Sequence, residues 1–212
     1  MTQHNLLADG ARRRIAVLLN LAIVVMELIG LLHTWRELRW GTFLFYTTDS
    51  NLFCLTGCLL FLAHAGKREA AVPNGVHLLR YVSTCTVALT FLVVVTILAP
   101  ASHNYFSILL GGTMLWLHTL CPLLSIISLI FFEGEVPLER RDTLYALIPT
   151  ALYAAVFIVL NLLWLVRGPY FFLLVYDQPI WMSAVWLAVI FGAALLLAWA
   201  IRKANNAVVK RL

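Results

Sequence analysis

The chain has 212 residues, 62% of them hydrophobic and only 12% charged, where an ordinary soluble domain carries about 25% charged residues. A mean hydropathy of +0.91, with long apolar runs between short polar breaks, excludes a water-soluble enzyme and makes the bilayer the solvent for most of the chain. At about 20 residues per crossing, this length allows around six helices and leaves no separate extramembrane domain.

Taking charges as helix ends predicts six spans, at 14–33, 43–65, 81–99, 106–132, 143–166 and 180–201. The expected fold class is therefore an all-α integral membrane protein, one six-helix transmembrane domain covering the whole chain. The net charge of +5 does not point to nucleic acid, because the cations segregate by membrane face. One face receives Arg12, Arg13, Arg14, Lys67, Arg68, Arg80, Arg140, Arg141, Arg202, Lys203, Lys210 and Arg211; the other receives only Arg36, Arg39 and Arg167. The positive-inside rule then assigns both termini to the cytoplasm. Trp35, Trp40, Trp164, Tyr170 and Trp181 fall near the opposite rim, where amphipathic rings prefer the headgroup level.

The first span follows three arginines, as a signal peptide does. Its apolar stretch is too long for one, contains Glu27, and runs into His33, Thr34, Trp35 and Arg36 without a small-residue cleavage site. It is expected to stay as a membrane helix. The cysteines at 54, 58, 85 and 121 all fall inside spans and read as small apolar fillers rather than metal ligands or disulfides.

Polar side chains that the bilayer should exclude carry the functional information, since each costs about 2–3 kcal/mol to insert and normally faces the bundle interior. Glu27, Asp49, Asn51, His118 and Asn161 are that set. Counted at about 1.5 Å per residue from the cytoplasmic ends, they lie about 20–28 Å up, in the outer half of the membrane. The expectation is a polar cavity open outward. On the second span Thr47, Ser50, Asn51, Cys54 and Cys58 share one helical face; on the fourth, Ser107, Gly111, Met114, His118, Cys121, Pro122 and Ser125 do.

Pro122 removes the hydrogen bond to the carbonyl four residues earlier, which in an α-helix belongs to His118. An imidazole, a freed acceptor and a kink are thus expected at one depth. Thr47 is the best hydroxyl for a neutral histidine to activate, with Thr48 and Ser50 as rivals. Asn51, one turn from Thr47, is a candidate oxyanion donor, against the plainer role of interhelical glue. Asp49 points off the Thr47 face, toward Glu27 or the outer rim.

The segment Phe45-Tyr46-Thr47-Thr48-Asp49-Ser50-Asn51-Leu52, the His118 to Pro122 motif about 70 residues later, and the six-span layout resemble the family of the androgen-induced protein and the androgen-dependent TFPI-regulating protein, whose pattern bacterial relatives share. The resemblance implies a multi-span hydrolase that cleaves fatty acid esters of hydroxy fatty acids with an intramembrane threonine and histidine, which fall on Thr47 and His118. The chain departs from the bacterial pattern at Asp49, where glutamine is common, at Ser128, where aspartate is common, and at Gly168-Pro169-Tyr170-Phe171-Phe172-Leu173, which keeps part of an aromatic, proline-rich motif.

The sequence reading is thus a lipid ester hydrolase in a bacterial cell membrane, acting on an amphiphilic ester. Thr47 is its nucleophile and His118 its base. Ser50, Asn51, Asn161, Glu27, Asp49 and Arg167 are candidate substrate or oxyanion contacts. Membrane lipids are the expected partners; no metal, other cofactor or nucleic acid is called for. The rival is a non-catalytic carrier of lipids or small molecules using the same cavity. A haem carrier needs paired histidines at one depth, and His33 and His64 lie near opposite rims.

Overall fold

The computed structural model describes residues 3–65 and 71–211, with side chains from residue 10 onward, and these residues are all-helical with loops. Lys67 and Arg68, two of the cations used for topology, lie outside them. Helix α1 spans Gln3–Leu38 and tightens into a 3₁₀ turn at Arg39–Leu44; α2 spans Tyr46–Ala65. Helix α3 runs Asn74–Ser102, α4 is the short Tyr105–Leu110, and α5 runs Leu115–Glu133. Helix α6 covers Asp142–Leu162 with a turn at Ala146–Leu147, and α7 covers Ile180–Val209.

Among the described residues, five stretches are long and apolar enough to cross a membrane: Gly10–Leu44, Asn74–Ser102, Leu115–Glu133, Asp142–Leu162 and Ile180–Val209. Helix α2 is 20 residues long but carries Thr47, Thr48, Asp49, Ser50 and Asn51 in its first turns, which dilute its hydropathy. Large apolar side chains such as Leu18, Leu152, Leu196 and Trp199 are exposed on the outer faces, as expected of a molecule whose solvent is lipid. Helix α3 is the most enclosed element, buried continuously from Arg80 to Thr90, and packs against α2, α5 and α7 around it.

Two expectations fail here for backbone reasons. The fourth span does not begin at residue 106 as one helix. Gly111 is extended (ψ 113°) and Gly112 has φ +54°, a left-handed conformation that glycine adopts without penalty. The chain therefore turns between α4 and α5, and α4 folds back on α5: the Thr119 hydroxyl donates to the Leu109 carbonyl at 2.9 Å. Ser107 and Gly111 consequently do not extend the His118 face. Second, α5 opens in π-helical register over Leu115–Leu120, with the Cys121 amide donating to the Trp116 carbonyl. In that i to i+5 pattern the acceptor that Pro122 cannot serve is Leu117, five residues earlier, and not His118.

Arg80 corrects the charge map. Counted as a loop cation, it is instead fully buried and paired with the equally buried Glu133 at 2.9 Å. Its guanidinium makes a two-point contact with that carboxylate, Nε donating to Oε2 at 3.0 Å and Nη2 to Oε1 at 2.9 Å, the bidentate geometry that best offsets desolvation. Asn20 Nδ2 and the Ser128 hydroxyl also donate to Glu133, at 2.7 and 2.6 Å. Ser125 accepts from Arg80 and meets the Thr84 hydroxyl at 2.8 Å. This network joins α1, α3 and α5 through groups that would otherwise each be costly inside a membrane.

Candidate functional site

Helix α2 begins where Phe45, in extended conformation, ends the 3₁₀ turn, and this sets Thr47 in the first helical turn facing inward. Three hydroxyls compete there, and their surroundings separate them. Thr48 meets the Thr42 hydroxyl at 3.3 Å. Ser50 donates to the Thr47 carbonyl at 3.1 Å and meets the Thr90 hydroxyl at 2.8 Å. Thr47 lies in the wall of a narrow cavity of about 50 Å³ lined by α2, α3, α6, α7 and the loop before α7.

That cavity is not the wet pocket expected. Its walls are mainly Leu89, Val93, Val94, Leu98, Phe172, Leu173, Leu187 and Ile190, relieved by Thr47, Thr90, Thr150 and three tyrosines. Tyr170 is the polar neighbour of Thr47. Burial pushes its phenol above the usual tyrosine range, an effect partly offset by the Thr47 hydroxyl. Tyr46 and Tyr153 meet edge-on at a centroid distance of 5.1 Å. Each is tied down, Tyr46 to the Thr150 hydroxyl at 2.8 Å and Tyr153 by donating to the Leu44 carbonyl at 2.7 Å.

The same two tyrosines also line a groove of about 450 Å³ between α2 and α6, walled by Phe43, Phe53, Leu152, Val156 and Leu160. Asp49 and Ser50 face this groove, so Asp49 does turn off the Thr47 face, toward the outer groove rather than Glu27. The tyrosine pair lines both the wide apolar groove and the narrow cavity at Thr47 and is the partition between them.

His118 is half-buried, and its Nδ1 lies 2.7 Å from the Ile108 carbonyl. A carbonyl only accepts, so Nδ1 carries the proton and a neutral ring presents Nε2 as an unprotonated acceptor. The folded-back helix α4 thus fixes the tautomer that a general base at Nε2 requires. The imidazole is not in the wall of the Thr47 cavity. What joins the two regions is Asn51, whose Nδ2 donates to the Thr47 carbonyl at 2.7 Å and to the Leu117 carbonyl at 3.2 Å. Both amide hydrogens are committed, so Asn51 is an interhelical link in this geometry and not a free oxyanion donor.

The remaining candidates are dispersed. Glu27 is fully buried, with neither carboxylate oxygen hydrogen-bonded to another described residue, beside Cys54 and Cys121. Asn161 accepts from the Val175 amide at 3.0 Å and anchors the loop before α7. Arg167 pairs with Asp177 at 2.6 Å on the exposed part of the same loop. Glu27, Asp49, Asn161 and His118 therefore occupy different surroundings and do not share one cavity.

No protein-family model, curated protein or solved structure matches this chain. The residues that sequence reasoning passed over are Tyr46, Tyr153, Thr150, Thr90 and the Arg80–Glu133 pair. Tyr170 reads as a rim aromatic, while Tyr46 and Tyr153 lie on different elements that only folding brings together at Thr47. Arg80 reads as a helix end because nothing in its neighbourhood marks the partner 53 residues away.

Proposed function

We propose that this chain is a membrane hydrolase that cleaves an ester within an amphiphilic lipid such as a fatty acid ester of a hydroxy fatty acid, with Thr47 as nucleophile and His118 as base. The observation that carries the reading is the Asn51 bridge, which ties the Thr47 turn directly to the backbone beside a histidine whose tautomer is already set for proton acceptance. The motif resemblance at Thr47 and His118 supports it. In this reading α2 is the sixth crossing and both termini face the cytoplasm of a bacterial cell.

The chemistry follows from those two side chains. A lipid chain enters from the groove, passes the Tyr46–Tyr153 partition and seats its ester at Thr47. The Thr47 oxygen bonds to the ester carbonyl carbon while its proton passes to His118 Nε2; closure of the two groups accompanies substrate binding, as catalytic contacts are often long in the free enzyme. The ester C–O bond then breaks, the imidazolium returns the proton to the departing alkoxide, and water releases the acid from the acyl-threonine by the same steps in reverse order. The apolar cavity accommodates part of a chain and keeps bulk water from the nucleophile.

Purified protein in detergent or nanodiscs, given a synthetic ester of a hydroxy fatty acid, is expected to release free fatty acid, and both Thr47→Ala and His118→Ala to abolish release. A second reading, a non-catalytic lipid carrier, is favoured by the mainly apolar lining of the Thr47 cavity and by the imidazole lying outside its wall. Bound lipid recovered intact, with equal turnover in wild type and Thr47→Ala, selects the carrier and rejects the hydrolase.

A further inference from the structure

At the end of the bundle opposite the Thr47 cavity, a groove of about 470 Å³ lies between the start of α6 with the residue before it and the C-terminal half of α7. Arg140, Thr143 and Leu144 line one side, and Leu195, Trp199, Arg202 and Lys203 the other. It has two chemical halves. Leu144, Leu195 and Trp199 are exposed at 61%, 43% and 48%, an apolar strip facing lipid. Arg140, Arg202 and Lys203 supply three cations at the adjoining end.

Arg202 is the informative one. It is more than nine-tenths buried, yet among the described residues its hydrogen bond is from Nε to the Thr143 hydroxyl at 2.8 Å. Among the described residues no carboxylate pairs with it, in contrast to Arg80, whose carboxylate lies at 2.9 Å. A buried guanidinium is retained where an anion or a carboxylate meets it, and Arg202 lines a groove instead. The walls are held in place independently of any ligand. Tyr81 donates to the Ala198 carbonyl at 2.7 Å, Asn205 to the Leu129 carbonyl at 2.9 Å, and Asn206 exchanges two 2.8 Å hydrogen bonds with the Leu138 backbone.

We propose that this groove is a binding site for an anionic phospholipid of the surrounding leaflet, its phosphate held by Arg202, Arg140 and Lys203 and an acyl chain lying along Leu144, Leu195 and Trp199. A planar guanidinium matches phosphate oxygens in bidentate fashion, and basic pockets between membrane helices recognise acidic headgroups. The apolar strip continuous with the cations argues for a lipid over a soluble phosphate, which has no use for it. The site is separate from the Thr47 region and does not rest on the hydrolase reading.

The test is native mass spectrometry of the full-length protein in detergent, titrated with dioleoylphosphatidylglycerol, with dioleoylphosphatidylcholine, or with water-soluble glycerol phosphate. Phosphatidylglycerol is expected to bind at least about tenfold more tightly than phosphatidylcholine. Arg202→Gln and the surface double variant Arg140→Gln/Lys203→Gln should each remove that preference, while Arg141→Gln, whose side chain pairs with Glu139 at 2.8 Å outside the groove, should keep it. The double variant lies on exposed positions and keeps the test valid if Arg202→Gln fails to fold. Equal binding of the two lipids, an unchanged preference in the folded double variant, or glycerol phosphate competing as well as the lipid would each overturn the proposal.

Discussion

Asn51 Nδ2 lies 3.2 Å from the carbonyl of Leu117, the acceptor that Pro122 leaves without a backbone donor in the π-helical opening of α5. A side chain on α2 thereby repairs a backbone defect on α5, immediately before His118. The pair behaves as one unit, and that coupling is measurable. Asn51→Ala should destabilise the protein by about 0.6–1.7 kcal/mol, the range for hydrogen bonds between membrane helices. In a Pro122→Ala background, where α5 regains an amide for that carbonyl, the same substitution should cost less. A double-mutant cycle on thermal unfolding in detergent checks this, and strict additivity would contradict the link.

The Arg80–Glu133 pair should respond asymmetrically. Removing one partner leaves an uncompensated charge inside the bundle, so Arg80→Met or Glu133→Leu alone should cost about 3–5 kcal/mol. The double variant should be more stable than either single one. Unfolding curves of the three proteins decide the matter; a double variant worse than both singles would show that Asn20, Ser125 and Ser128 depend on the charges themselves.

Much of this frame is legible in the amino-acid order. Runs of apolar residues between clustered cations predict the helices, and the polar run 47–51 marks α2 as the odd member. The Gly111-Gly112 pair announces a break in the fourth span, but an uninterrupted hydropathy signal hides it. Once the break exists, Ile108 lies against His118 instead of three turns away. The π register of α5 has no local sequence signature, so Pro122 points to the wrong carbonyl until the backbone is known. The tyrosines around Thr47 come from α2, α6 and the loop before α7, and no periodicity links such distant positions.

Tyr170 predicts a pH effect. Its phenol is held above the usual tyrosine range by burial, so the folded state keeps the proton longer than the unfolded one, whose tyrosines ionise near about 10. The resulting stability is fully present below that pH and is lost as pH rises toward the folded value. Tyr170→Phe should therefore soften the alkaline fall in unfolding temperature above pH about 10, while leaving neutral pH behaviour close to wild type. An identical alkaline limb in the variant would contradict the assigned burial.

The Tyr46–Tyr153 partition should govern access. Tyr153→Ala removes one half of it and its hydrogen bond to the Leu44 carbonyl, joining groove and cavity. Accessibility of a Thr47→Cys variant to an apolar maleimide should then rise several-fold relative to the same variant with Tyr153 intact. No change in labelling rate would mean that lipid reaches Thr47 by another route.

Whether Thr47 and His118 act together on an ester is decided by an alkyl fluorophosphonate applied to the folded protein, followed by mass spectrometric mapping of the adduct. One adduct is expected, on the peptide containing Thr47, absent in Thr47→Ala and strongly reduced in His118→Ala. Undiminished labelling of folded Thr47→Ala, or an adduct on another residue in the wild type, would contradict it.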